Sequence, residues 1–129
     1  MQLSQKHCVP CEGGTAPLAP GEVAKYLRKL KPLDVARGVS GWENVDNKKI
    51  RREFKFSAKG GSASGGKSPF KGAMAFVNNV AKIAESEGHH PDISIFYNRV
   101  VIELWTHAAG GLTENDFVMA AKIERINGN

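Results

Sequence analysis

Three of the four histidines, His89, His90 and His107, fall in one short region of the chain, with Glu85 one helical turn before His89 and Asp116 a short loop beyond His107. A neutral imidazole with its ordinary pKa of about 6.5 accepts or donates a proton at neutral pH, and two of them across a pocket can act as acid and base. Three histidines are also a zinc geometry. The adjacent pair His89-His90 at the entry to a strand points its two rings apart, however, so the pattern favours proton transfer over metal binding. A serine or cysteine nucleophile has no support: no G-x-S-x-G occurs, and Cys8 and Cys11 stand together near the N-terminus. Taken singly, each residue has an ordinary explanation. A histidine beside a proline is commonly a turn residue. Asp116, three residues after Thr113, is what a capping box and a helix dipole favour, and Glu85 reads equally as a solvated helix residue. The chemistry therefore depends on whether the fold brings these residues together.

The elements that must do so are legible as periodicities. Pro20 to Lys31 carries Val23, Tyr26, Leu27 and Leu30 at helical spacing between Pro20 and Pro32. Gly41–Val45 and Ile50–Phe56 alternate on either side of Asp46-Asn47-Lys48-Lys49, as in an antiparallel hairpin. Ile50, Arg52, Phe54 and Phe56 share one face, and the arginine is expected to cover apolar surface with its stem while its head stays wet. A second long helix is predicted over Phe70–Glu87 from Phe70, Ala73, Val77, Val80, Ala81 and Ala84, ending at Gly88 in a left-handed cap. Asp92–Tyr97 and Arg99–His107 alternate as strands about a turn at Asn98. Thr113-Glu114-Asn115-Asp116 opens a last helix carrying Phe117, Met119, Ala120, Ala121, Ile123 and Ile126. Helix, two strands, helix, two strands, helix predicts an α+β fold: a four-stranded, mainly antiparallel sheet with three helices packed on one face. Residues 1–17 read as a flexible N-terminal arm and 18–129 as a single domain, interrupted by a flexible Gly/Ser loop over 57–69 that has no apolar residue larger than alanine.

The second hairpin makes a geometric prediction. Facing residues in a hairpin have numbers that sum to a constant, and a tight turn near Asn98 sets it at roughly 195–197. His107 is thereby expected opposite residues 88 to 90, at one end of the sheet, with Asp116 within reach of the same end.

Composition bounds the alternatives. The chain has 129 residues, 41% hydrophobic and 24% charged, the make-up of one globular domain. No apolar run approaches a membrane span and the N-terminus lacks a secretory h-region, so a cytoplasmic protein is expected, with nuclear entry by diffusion open to a chain of this size. The net charge of +5 permits anionic partners. The basic stretches Lys25–Lys31 and Lys48–Arg52 lack interleaved exposed aromatics, which argues against nucleic acid. Cys8-x-x-Cys11 has neither a second ligand pair for zinc nor the strand-to-helix setting of a redox motif, so no metal is expected there.

Together, Glu85-x-x-x-His89-His90-Pro91-Asp92, Tyr97-Asn98-x-Val100 and Thr106-His107-x-x-x-Gly111-Leu112-Thr113-x-x-Asp116 closely resemble the pterin-4a-carbinolamine dehydratase family, over about residues 18–126. The resemblance implies an α+β fold with a four-stranded antiparallel sheet and three helices, assembled as a dimer or tetramer. It implies dehydration of 4a-hydroxytetrahydrobiopterin to quinonoid dihydropterin in tetrahydrobiopterin recycling, with no metal or organic cofactor. By matching positions, the implied catalytic residues are His89, His90 and His107. His89 and His107 are the acid/base pair, in either order, and His90 binds or orients the pterin. Asp116 is implied to orient or stabilise a histidine, Glu85 to support His89, and Pro91, Asp92 and Thr106 to join His90 in binding substrate. Three features depart from the family pattern: the long Gly/Ser segment, the Cys8-x-x-Cys11 arm found only in some members, and Ile93 where animal members carry an aromatic. The rival reading is a protein-binding module, since animal members also serve as dimerisation cofactors of a homeodomain transcription factor through a helix surface.

Overall fold

The computed structural model describes residues 2–10, 15–30, 41–57 and 68–127. Cys11 and most of the Gly/Ser segment lie outside them. Helix α1 (Pro20–Lys29) begins on Pro20, whose missing N–H costs nothing at a helix start, and buries Val23. Strands β1 (Glu43–Val45) and β2 (Lys49–Lys55) are joined by a tight turn in which Asp46 and Asn47 both take positive φ, at 54° and 56°. That conformation suits these two residue types and matches the right-handed twist of the hairpin. Helix α2 (Pro69–Glu87) is capped by the Ser68 hydroxyl, which accepts from the Lys71 amide. It ends as expected at Gly88, with φ 65°. Strands β3 (Asp92–Phe96) and β4 (Arg99–Leu104) follow, then helix α3 (Glu114–Asn127).

The four strands form one antiparallel sheet in the order β1-β2-β4-β3. The register places Ile50, Arg52 and Phe54 opposite Leu104, Ile102 and Val100, so the alternating residues meet on a single buried face. The three helices and four-stranded antiparallel sheet are those expected. Helix α3 is buried almost all round, including Phe117, Val118, Met119, Ala120 and Ile123, because it packs against α1, α2 and β4.

Four details differ from the sequence reading. Arg52 does not keep its head in water: it is buried at 1% exposure, its guanidinium paired with Glu124 and lying 4.3 Å from the Phe54 ring centroid. Glu124 also accepts from Trp42 Nε1 at 2.9 Å, so α3 supplies the counter-charge that lets a cation occupy the inner face. Phe70 is not a core residue but is 45% exposed, stacked 6.4 Å from Tyr97, while Phe76 takes the core position. Strand β4 stops at Leu104 instead of reaching His107. Finally, residues 2–10 do not trail from the domain. Leu3 is buried, the Lys122 ammonium donates to the Ser4 carbonyl at 3.0 Å, and Lys6 pairs with Glu114 at 3.1 Å, which ties the arm to α3.

Candidate active site

The site is built where α2 ends, β4 ends and α3 begins. Left-handed Gly88 turns the chain out of α2, and the Gly88 and His89 amides both donate to the Ala84 carbonyl, which fixes where His89 emerges. Beyond β4, Thr106 pairs with Gly111 as an isolated bridge, closing a short loop whose single 3-10 turn, His107–Ala109, ends at Gly110 with φ 68°. The bridge holds His107 beside His89 and His90, where register alone would have required a longer strand. All three histidines line one cavity of about 510 Å³, together with Pro91, Asp92 and Thr106.

Asp116 is the centre of this arrangement. Its carboxylate is fully buried and accepts three hydrogen bonds: from the Thr113 amide at 2.9 Å, from the Thr106 hydroxyl at 2.8 Å and from His89 Nε2 at 2.6 Å. Because the Thr106 hydroxyl donates to Asp116, it accepts from Thr113 Oγ1, 2.8 Å away. The capping interaction with the Thr113 amide and the contact with His89 thus use one side chain, and the two readings of Asp116 are not alternatives. An ionised carboxylate can only accept, so the network assigns the proton to His89 Nε2 and leaves Nδ1 of the neutral ring as its lone-pair atom.

Glu85 does not reach His89. Its carboxylate lies 2.5 Å from His90 Nε2, in a pair exposed at both ends that contributes little to stability. His107 is exposed and its ring sits 3.8 Å from the Trp105 ring, centroid to centroid, so an indole face backs it. Thr106, read as a substrate-binding residue, is buried and its hydroxyl is engaged by Asp116 and Thr113. Among the described residues no group of three or more His, Cys, Asp or Glu side chains is placed to hold a metal ion, and no helix is long and apolar enough to cross a membrane.

Sequence reasoning missed two contributors, the arm and Asn115. The Cys8 amide donates to Glu87 Oε1 at 2.7 Å, and His7 Nδ1 lies 2.9 Å from Glu87 Oε2. Burial pushes the Glu87 pKa up, but the Cys8 amide, His7 and Lys122 outweigh it and hold the carboxyl below its ordinary value. Asn115, 4% exposed, accepts from the Val9 amide at 3.0 Å and donates to the Val9 carbonyl at 2.6 Å. Cys8, Val9 and Pro10 consequently form part of the cavity wall. The Cys-x-x-Cys pattern drew attention to the arm for metal chemistry, and no local periodicity signals where the arm docks.

Known proteins place this geometry in context. The sequence profile of the family described as pterin 4 alpha carbinolamine dehydratase matches residues 16–126. A protein of Rubrobacter xylanophilus with the provisional name pterin-4-alpha-carbinolamine dehydratase is 40% identical over 125 residues, covering 97% of this chain and 98% of the relative. A provisionally named counterpart of Nitrosospira multiformis is 42% identical over 124 residues, 96% of this chain and 91% of the relative. The crystal structure of a transcriptional coactivator/pterin dehydratase from Brucella melitensis superposes with a TM-score of 0.65 at 34% identity, covering 86% of this chain and 98% of that one. With a family match across most of the chain and relatives of full length, the protein belongs to the pterin-4a-carbinolamine dehydratase family.

Proposed function

We propose that the protein dehydrates 4a-hydroxytetrahydrobiopterin, with His89 as base and His107 as acid. The observation that carries this reading is the buried Asp116 bonded to His89 Nε2 on a cavity that His107 also lines. Removal of the N5 proton supplies the electron pair for the N5=C4a double bond. The C4a–O bond breaks and the hydroxyl leaves as water with a proton from the acid. His89 suits the first step because Asp116 fixes its tautomer and stabilises the imidazolium that forms. His107 suits the second because its exposed ring, set against Trp105, lines the same cavity and can give a proton to the departing hydroxyl. His90, with Pro91 and Asp92, binds the pterin, and Glu85 orients His90.

The test is the rate of dehydration of carbinolamine generated in situ by an aromatic amino-acid hydroxylase. Wild type should accelerate the step, and His89→Ala and His107→Ala should each lower kcat on the order of 10²-fold or more. Absence of acceleration by wild type would sink the enzymatic reading.

Assembly as a homo-oligomer, dimer or tetramer, is part of the proposal. Ile95 and Phe96 on edge strand β3 and Tyr97 in the turn after it are exposed, with Phe70 stacked on Tyr97, an apolar set that a monomer seldom leaves in water. Sedimentation at micromolar concentration checks it, and a monomer would remove it.

A further inference from the structure

The N-terminal arm is fixed against the site more firmly than its own packing explains. The polar contacts that hold residues 7–9 include His7 and the Cys8 amide to Glu87, the Cys8 thiol to the Asn115 carbonyl, and both backbone groups of Val9 to the Asn115 side chain. Their anchor points flank the catalytic network in sequence. Glu87 is the last residue of α2, two before His89, and Asn115 immediately precedes Asp116. Cys8 is half-buried against the core, yet the next side chain, Val9, is 66% exposed at the cavity, and Pro10 beside it is exposed as well. The backbone is thus immobilised while two rigid apolar side chains are held open at the mouth of the cavity. Burial does not account for holding them there, because neither is buried. A flat, partly apolar bicycle entering the cavity would cover them, removing apolar surface from water.

We infer that Val9 and Pro10 are substrate-binding residues: the arm forms an apolar lip that contacts the bound pterin and sets its affinity, without taking part in proton transfer. Glu87 and Asn115 are positioning residues that hold the lip. The inference rests on the pterin dehydratase reading of the cavity and adds to it a third wall that belongs to neither the α2–β3 junction nor the β4–α3 loop.

The experiment uses the full chain with Val9→Asp and Pro10→Glu, both at exposed positions where an acid does not disturb the core. Two readouts are taken: KM and kcat for the enzymatically generated carbinolamine, and the dissociation constant of oxidised biopterin from quenching of its fluorescence. Expected for each variant is a fivefold or larger rise in both KM and the biopterin dissociation constant, with kcat within twofold and the melting temperature unchanged. Wild-type values in both variants would overturn the lip and leave the dehydratase reading standing. Wild type that binds biopterin without turning over carbinolamine would remove the dehydratase reading, and the binding data would still decide the lip. Wild type that neither binds nor turns over any pterin overturns both.

Discussion

Substituting Asp116 by Asn separates its part in catalysis from its part in folding. The carboxylate accepts three hydrogen bonds in a fully buried position, from His89 Nε2, the Thr106 hydroxyl and the Thr113 amide. The amide is almost isosteric but offers one oxygen and one NH₂ where three donors converge. If the oxygen keeps Thr106 and Thr113, the NH₂ faces His89 Nε2, and the ring must shift its proton to Nδ1 to accept from it. The lone pair then lies on the nitrogen held by residue 116, and the atom that was free to take the substrate proton carries one. Losing a base of this kind lowers kcat by about 10²- to 10⁴-fold. Bonds to a buried charge contribute about 1.5–3 kcal/mol each, and the amide preserves roughly two of the three, so a stability loss of about 3 kcal/mol is expected. For a domain of this size that lowers the melting temperature by roughly 10–15 °C. The assay pairs hydroxylase-coupled kinetics at a temperature where the variant is folded with thermal unfolding followed by circular dichroism. A second arm places Asp116→Asn in the His89→Ala background. If Asp116 acts through His89, the double variant is no slower than His89→Ala alone. A kcat loss under about fivefold, or losses that multiply in the double variant, would refute the argument.

Two further outcomes follow from groups away from the cavity. Arg52→Met leaves the Glu124 carboxylate facing the core without its guanidinium and should cost about 3–5 kcal/mol in denaturant unfolding, most of which Arg52→Met with Glu124→Leu restores; a single variant as stable as wild type would show that water reaches Glu124. The Tyr26 hydroxyl donates to Glu114 at 2.7 Å; this bond, with burial, pushes the tyrosine pKa up to about 12, and the same bond, with Lys6, outweighs burial to hold the Glu114 carboxyl below its ordinary value. The neutral tyrosine is therefore favoured in the folded state, so its contribution is complete below pH 10 and disappears as pH rises through about 12. Ultraviolet titration of the phenolate should show a tyrosine ionising near pH 12 that Tyr26→Phe removes, with a loss of about 1 kcal/mol at neutral pH and none once the wild-type hydroxyl is ionised. A stability difference that stays constant across that range would contradict the linkage.

Much of the fold was readable because each element carries its own periodicity. Val100, Ile102 and Leu104 alternate, and all three are fully buried in β4; Gly88 follows an amphipathic run, and it takes the left-handed cap. The histidine cluster was readable too, because a tight turn at Tyr97-Asn98 fixes the register of β3 on β4, with Phe96 opposite Arg99. What register could not give is how far a strand continues. Strand β4 ends at Leu104, and a bridge between Thr106 and Gly111 carries His107 to the cavity.

The sequence by itself determined which residues could do proton chemistry and the order of helices and strands, since composition and periodicity are local properties of the chain. Tertiary structure alone decided the partners. Asp116 pairs with His89 and Glu85 with His90, Arg52 is buried because Glu124 of a distant helix meets it, and the arm reaches the cavity through Glu87 and Asn115. Each of these is a polar contact between segments far apart or differently directed. Hydrogen bonds and ion pairs depend on the separation and angle of two groups, and no spacing within one segment encodes those.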